Sequence, residues 1–347
     1  MLEALKSIGQ TVQYNCDIAD ARYAADYTLC VYLLKMREMY RWAHGIDLLE
    51  ELPNAAVGDW VRAREEMWQA LEAAEFEPLA IAQAAYDPFD DDAINAALHE
   101  HRLVYSGGLG NRGAPHFFLA DLAEQRVHGE YTILIADREY ARDLTAPPAM
   151  TRGANIFVRR ESLRRLIWER VQEWRWNRCD SALGRALEHY AIDTDPGGGL
   201  NRLVEDQLDV VLWHELGEVE AGRGIEEQWQ ALLAAVSGTP AELELRAVRD
   251  NLADVSVTLP ALLDSRRWAL LDFYFGTLSP MRRRLYPALV EGYEIGRRQA
   301  ASHDGLFEAV ARGKTHWREV MSAALALSGA HAIDAAALHA LIERSYL

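Results

Sequence analysis

The chain has 347 residues, half of them hydrophobic, so it can bury more than one core and two domains are expected. Its 53 acidic residues outnumber 36 Lys and Arg, and the net charge of −17 repels phosphate backbones and anionic membranes. We therefore expect neither a nucleic-acid partner nor a membrane partner. The three cysteines match no disulfide framework, and no apolar signal segment is present, which indicates a reduced, cytoplasmic protein.

Residues 17–42 give the clearest helical pattern of the first half, with apolar side chains recurring at helical spacing. Arg22 lies within this apolar stripe, and Asp26 lies on its flank one turn later. Two opposite charges at this spacing can neutralise each other while partly buried. We therefore expect Arg22 and Asp26 to form a buried polar pair; the alternative is an anchor for a substrate or a metal.

A second amphipathic helix is predicted at 57–75. The segment 87–98 is typical of a loop that enters a helix, because Pro88 breaks what precedes it and acidic residues favour a helix N-terminus. Its three consecutive aspartates lack the ligand spacing of an EF-hand. The prediction is therefore a helix cap, not a calcium site.

Short apolar and aromatic runs bounded by Gly and Pro predict strands between about 102 and 160. These runs are 103–106, 116–121, 131–136 and 155–158. We expect a small antiparallel sheet of three to five strands. The glycine-rich segment 106–113 matches no nucleotide-binding motif and is predicted to be a hairpin connection, and 138–153 is predicted to be a long loop.

The pattern is helical again from Glu161 to the end of the chain. A helix at 162–178 interleaves Arg with Trp, and in so acidic a chain we expect the Arg stems to cover apolar surface. A strong breaker at 193–199 precedes the central helix, and further helices are expected at about 225–237, 241–257, 260–276, 281–301, 303–323 and 333–346. The predicted fold is α+β and predominantly α-helical. Domain 1–160 contains helices and the antiparallel sheet, and domain 161–347 is all-helical.

The central helix, 204–222, carries the one pattern that indicates chemistry, the run 214–218, His-Glu-Leu-Gly-Glu. Projected at 100° per residue, Glu215 lies in the middle of the apolar stripe, with His214 and Glu218 at its edge. A lone buried carboxylate is unfavourable or takes up a proton. Glu215 is therefore expected to have a buried partner: a metal, a bound substrate, or an arginine such as Arg22, Arg249 or Arg267.

The run 214–218 resembles the zincin metallopeptidase signature His-Glu-x-x-His, with Glu218 in the place of the second His. The resemblance implies that His214 and Glu218 bind a divalent metal and that Glu215 activates a metal-bound water. A His and Glu pair suits zinc, and also iron or manganese. The expected function is a metal-dependent, zincin-like hydrolase that acts on a small molecule or a peptide.

A third metal ligand is expected from a later helix. The candidates are Glu291, Glu294, His316 with Glu319, and the (i, i+4) pair Asp250 and Asp254. The aspartate pair is the less favoured candidate, because it faces away from the apolar stripe of its own helix, formed by Leu245, Val248, Leu252 and Val255.

Two other classes of protein are consistent with the same residues. One is a non-catalytic binding or scaffold protein in which they form a buried polar network. The other is a di-iron carboxylate helical protein, although its Glu-x-x-His order is reversed here. The blocks 29–42 and 105–110 also resemble those of a bacterial two-domain family with no assigned function. The sequence indicates neither a substrate nor an oligomeric state.

Overall fold

The computed structural model describes residues 2–110, 113–176, 178–299, 302–330 and 334–347. The chain divides into two compact units, Met1–Glu169 and Arg170–Leu347. The first unit combines helices with strands, and every element described in the second unit is a helix. The predicted α+β, predominantly helical fold is therefore confirmed. Among the described helices, none is long and apolar enough to cross a membrane.

In the described residues, the first unit contains four complete α-helices and the start of a fifth: α1 (Leu2–Tyr23), α2 (Leu29–Ala43), α3 (Asn54–Leu71), α4 (Asp91–Leu98) and α5 (Arg160–Trp176). A two-stranded antiparallel ladder is formed by β1 (Leu79–Ile81) and β2 (Ala84–Tyr86). A five-stranded sheet has the order β3-β4-β5-β7-β6, with β3 (Leu103–Leu109), β4 (Pro115–His128), β5 (Tyr131–Arg142), β6 (Ala149–Arg152) and β7 (Asn155–Arg159).

The five-stranded sheet is mixed. Strands β5 and β7 pair in parallel, with Ile133 opposite Ile156, and the other neighbours are antiparallel. The predicted strand positions are confirmed, but the long loop predicted at 138–153 is wrong, since β5 extends through its first residues and β6 lies near its end. The polar sequence of β5 conceals the strand, because Glu139 and Arg142 are buried there as ion-paired side chains.

The single helix predicted at 17–42 is wrong, because α1 ends at Tyr23 and α2 begins at Leu29. Arg22 and Asp26 therefore do not share one helix face, and both are exposed instead of forming a buried pair. The Arg22 guanidinium lies 4.9 Å above the Phe76 ring and donates to the carbonyl oxygens of Glu72 and Ala74. Arg22 thus fixes the segment that follows α3.

The core of the first unit lies between α1 and the large sheet. One face of α1 contributes Ile8, Val12, Cys16 and Ala19, which pack with buried side chains of β1, α4, β3 and β4. The predicted helix cap is confirmed, since the Asp90 carboxylate accepts from the backbone N–H of Ala93 at the start of α4.

The second unit begins with the C-terminal part of α5 and contains ten further helices in the described residues. These are α6 (Ala182–His189), α7 (Pro196–Gly222), α8 (Glu226–Ala235), α9 (Pro240–Ala253), α10 (Leu259–Ser265), α11 (Trp268–Thr277), α12 (Pro280–Leu285), α13 (Pro287–Arg298), α14 (Asp304–Ala330) and α15 (Ala335–Glu343). A π-helical turn, Asp254–Thr258, joins α9 to α10. The helices predicted at 260–276 and 281–301 are each divided, at Arg266 and Pro287 respectively.

Helix α7 starts earlier than predicted, inside the segment 193–199. The Asp195 carboxylate caps it by accepting from the Gly198 N–H at 3.0 Å, and Pro196 occupies the first turn, where a missing N–H is tolerated. Helix α9 lies at the centre of the unit, in contact with α7, α12, α14 and α15. Because neighbours surround α9, polar residues on the side opposite its core stripe are not on a free surface.

Candidate metal centre

The candidate centre lies where α7 crosses α9 and the π-helical turn. The two backbones approach closely at Gly217, where a Cβ would lie 2.8 Å from the carbonyl carbon of Ala253 and overlap its oxygen. His214 and Glu218 flank this glycine on α7. Gly217 therefore sets the distance between the two helices that carry the polar residues.

Replacing Gly217 with alanine is expected to lower the free energy of unfolding by about 1–3 kcal/mol, because the added methyl group forces the helices apart. Alanine favours helix over glycine by about 1 kcal/mol, so the measured net loss is smaller than the cost of the clash by about this amount. Urea denaturation tests this, with Gly58→Ala as the matched control: an added Cβ at Gly58, in α3, meets nothing within 4 Å. A Gly217→Ala protein as stable as wild type would contradict the close approach.

Three side chains converge at this crossing: His214 and Glu218 from α7, and Asp250 from α9. One ligand atom of each lies within 4.8 Å of the other two, and all three residues are half-buried. His214 Nε2 is 3.6 Å from Glu218 Oε1. Two ligands on a tetrahedral zinc are about 3.4 Å apart, so the pair needs little movement to hold a cation.

Asp254 fixes the orientation of the His214 ring. Its carboxylate, 1% exposed, is 2.7 Å from His214 Nδ1. An ionised carboxylate can only accept a hydrogen bond, so Nδ1 of His214 carries the proton. When the ring is neutral, its lone pair is therefore on Nε2, the atom nearer Glu218. A carboxylate behind a histidine is the usual outer contact of a metal-binding imidazole.

Asp254 is itself held by other polar groups. Its Oδ2 accepts from the Tyr274 hydroxyl at 2.6 Å and is ion-paired with Arg282. Arg282 also donates to Asn251 Oδ1 at 3.1 Å and to the Tyr274 hydroxyl at 3.0 Å. The π-helical turn begins at Asp254, and such turns occur frequently at functional sites.

The charges of the cluster shift its pKa values in different directions. Burial alone would lower the pKa of His214, but Asp254 and then Glu218 outweigh it and raise that pKa well above its usual value. Burial is likewise outweighed at Asp254, whose pKa is held well below its usual range by Arg282 and His214. At Asp250 burial dominates and raises the pKa, while His214 lowers the pKa of Glu218 against the effect of burial. Without a cation, Asp254 and Glu218 therefore favour the protonated form of His214.

The structure brings together some of the predicted ligands and not others. His214 and Glu218 meet Asp250, the less favoured of the predicted third ligands. On α13, Glu291 is exposed and Glu294 is half-buried, and neither belongs to the three-residue cluster. His316 Nε2 is 2.6 Å from the carbonyl oxygen of Ser345, at another place in the unit.

Glu215 is buried, 8% exposed, as its position on the helical projection predicts. It does not belong to the cluster of His214, Glu218 and Asp250. Two of the arginines considered as its partner have other ion-pair contacts, Arg249 with Glu226 and Arg267 with Asp206. The predicted role of Glu215 as a base therefore stays a prediction.

Sequence reasoning missed Tyr274 and Arg282, which hold the orienting carboxylate. No motif marked these two residues; the (i, i+4) spacing of Asp250 and Asp254 marked only the carboxylate that they hold. The sequence contains no signal that pairs this face of α9 with α7, since the contact depends on the glycine at 217 and on the π-helical turn.

The fold and the cluster define a two-unit α+β protein with a candidate divalent-metal centre in its helical unit. The chain belongs to a two-domain family of unknown function (DUF6866). The model of its N-terminal domain matches residues 7–159, and that of its C-terminal domain matches residues 164–345. The resemblance to a two-domain family without assigned function is thereby confirmed, and the zincin resemblance receives no support. Comparison with curated proteins and with solved structures gives no match.

Proposed function

We propose that the protein is a divalent-metal-dependent enzyme of the hydrolase class, with His214 Nε2, Glu218 and Asp250 as the metal ligands. The observation that supports this most is the convergence of three ligand types with their atoms within 4.8 Å. One nitrogen and two carboxylates suit zinc, iron or manganese. A bound divalent cation would lower the pKa of a water and supply a nucleophile at neutral pH.

The charge balance of the cluster also favours a cation. Arg282 is ion-paired with Asp254 and also acts on Asp250, while Arg249, which acts on Glu218, is ion-paired with Glu226. The three carboxylates of Glu218, Asp250 and Asp254 thus share the positive charges of His214 and Arg282. A divalent cation that displaces the His214 proton adds one net positive charge and faces the carboxylates of Glu218 and Asp250. Asp254 then keeps the imidazole ring in place through Nδ1.

The proposal is tested by metal analysis of the purified, untagged chain. The protein is stripped with a chelator, incubated separately with Zn²⁺, Mn²⁺ or Fe²⁺, desalted and measured by elemental analysis. We expect about one ion per chain for at least one metal. His214→Ala and Asp250→Asn are expected to reduce this to background, because each removes one of three ligands.

His339→Ala is the matched control, since His339 Nδ1 is also hydrogen-bonded to a buried carboxylate, that of Glu244. The His339→Ala protein should retain the bound metal. Less than about 0.2 ion per chain in the wild type, unchanged in His214→Ala, would contradict the proposal. The proposed hydrolase activity is tested separately, by measuring turnover of p-nitrophenyl acetate, p-nitrophenyl phosphate and casein. Glu215→Gln is expected to keep the metal and abolish any turnover that depends on it.

A second candidate function is a non-catalytic binding or scaffold protein. It is favoured by the connected contacts of Asp254 with His214, Tyr274 and Arg282, which form a polar network without any ligand. In that case His214→Gln and Glu218→Gln would lower the thermal unfolding temperature equally with and without added metal. A stabilisation by metal that is lost in both variants would exclude this candidate.

A further inference from the structure

A separate cavity lies in the first unit, and its volume is about 610 Å³. This volume falls within the range of about 300–1,000 Å³ that is usual for small-molecule sites. The cavity is bordered by the end of α2 and the residues after it, α3, β5 and the start of α5. Its side chains include two aromatic rings and four guanidinium groups: Trp42, Tyr140, Arg64, Arg138, Arg164 and Arg165.

Three acidic residues, Asp47, Glu139 and Glu161, also line the cavity, against the four arginines. Two of these acids are engaged: Glu161 binds Arg165 and the backbone N–H of Glu139, and the Glu139 carboxylate is ion-paired with Arg159. Among the arginines, Arg64 is ion-paired with Asp17. The lining is therefore positive in a chain whose net charge is −17. A local charge opposite to that of the whole molecule indicates a site for an anion.

Arg165 is the most buried of the four arginines that line this cavity. It is only 8% exposed, and its Nη2 donates to Glu161 Oε1 at 2.7 Å. Within the part of the chain that the structure describes, its Nε and Nη1 have no hydrogen-bond partner. Buried guanidinium nitrogens are nearly always hydrogen-bonded, so two such donors beside a cavity call for an acceptor.

A second layer behind the cavity adds to the positive charge. Arg142 and Arg159 are buried and share one carboxylate, with Arg159 Nε 2.9 Å from Glu139 Oε1 and Arg142 Nε 3.8 Å from Glu139 Oε2. Burial, together with the nearby charges of Arg165 and Arg159, lowers the pKa of Arg142 in spite of Glu139. Arg142, Arg159 and Arg165 thus face the carboxylates of Glu139 and Glu161, three positive charges against two.

We propose that this cavity binds a small organic oxyanion, a carboxylate or a phosphate monoester with a planar apolar body. The guanidinium of Arg165 offers two donors to the oxyanion, and Arg138 and Arg164 add positive charge. Planar guanidinium groups match the geometry of carboxylate and phosphate oxygens. Trp42 and Tyr140 provide apolar surface for the body of the ligand, and the Arg138 guanidinium is already held 5.4 Å above the Tyr140 ring.

Binding to the full chain can be measured by isothermal titration with benzoate, phenyl phosphate and benzyl alcohol at constant ionic strength. The three probes share one aromatic ring and differ in the oxyanion, so they separate the two kinds of anion from the apolar contribution. We expect one or both anions to bind at least about tenfold more tightly than the neutral alcohol, because a hydrogen bond to a charged group contributes about 1.5–3 kcal/mol. Tighter binding of benzoate would indicate a carboxylate ligand, and tighter binding of phenyl phosphate a phosphate ester.

Two variants test whether the arginines of the cavity are responsible for anion binding. Arg165→Gln is expected to weaken anion binding about tenfold or more and to leave benzyl alcohol unaffected. The double variant Arg138→Gln with Arg164→Gln provides a second measurement should the buried substitution prevent folding. Arg62→Gln is the matched control, since Arg62 is exposed on α3 and does not line the cavity. Anion binding no tighter than that of benzyl alcohol, or wild-type affinity in the double variant, would overturn the proposal.

Discussion

Replacing Asp254 with asparagine is expected to lower the free energy of unfolding by about 3–5 kcal/mol, the usual result of removing one partner of a buried ion pair. The substitution keeps the shape of the side chain and removes its charge. Arg282, whose side chain is 13% exposed, would lose its ion partner, and His214 would lose the hydrogen bond that orients it. Because Tyr274 also donates to this carboxylate, three contacts change at once.

Urea denaturation of the metal-free protein measures this loss. Asp264→Asn is the matched control, because Asp264 is exposed on α10, and its free energy of unfolding should stay within about 0.5 kcal/mol of wild type. Should Asp254→Asn fail to fold, Tyr274→Phe removes one hydrogen bond to the same carboxylate and is expected to destabilise by about 1–3 kcal/mol. An Asp254→Asn protein within about 1 kcal/mol of wild type would show that the network is not a buried ion pair.

Much of the fold follows from the sequence because its main signals are local. Apolar spacing and prolines located most helices, with Pro240, Pro260 and Pro280 in first helical turns. The errors occur where tertiary contacts override the local pattern. The polar second half of β5 is a strand because buried Arg residues neutralise its Glu139, and α7 can begin within a glycine-rich segment because Asp195 caps it.

The candidate site could be predicted only in part, for a geometric reason. The projection of α7 placed His214 and Glu218 on one edge, and both contribute to the cluster. The same reasoning on α9 disfavoured Asp250 and Asp254 because they face away from its core stripe. That inference assumes solvent on the opposite face, and here α7 and its Gly217 occupy this face. A single-helix projection cannot show which neighbour covers a polar face.

His339 shows which part of the site is unusual. Its Nδ1 is 2.8 Å from the buried Glu244 and its Nε2 is 3.7 Å from Glu343 one turn later, which repeats the local pattern of His214. The side chain of His339 is 40% exposed, against 28% for His214. Across the described residues, a cluster of three ligand side chains occurs only at His214, where Asp250 adds the third. The feature that supports metal binding is therefore the third ligand, the Asp250 carboxylate, and not the His and Glu pair.

Metal affinity at the His214 centre is expected to rise up to about tenfold per pH unit near neutrality, because the cation must displace one imidazole proton. Asp254 and Glu218 raise the pKa of His214 well above its usual value, against the effect of burial. Protons therefore compete with the metal for His214 up to pH values above 7. Competition with a chelator for Zn²⁺ or Mn²⁺ at about pH 6 and about pH 7 measures the slope.

The stability of the metal-free protein is expected to change with pH in the opposite direction to the metal affinity. A histidine whose pKa is raised on folding stabilises the protein below its unfolded pKa of about 6.5, and this contribution is lost as the pH rises through the folded value. Urea unfolding of stripped protein should therefore show stability falling over the range in which metal affinity rises. His339→Gln should leave the metal trend unchanged, and His214→Gln should remove it. Because Glu244 also raises the pKa of His339, each variant should reduce the fall in stability without abolishing it. An affinity that is the same at the two pH values would mean that no proton leaves His214 on binding, and the imidazole would then not be a ligand.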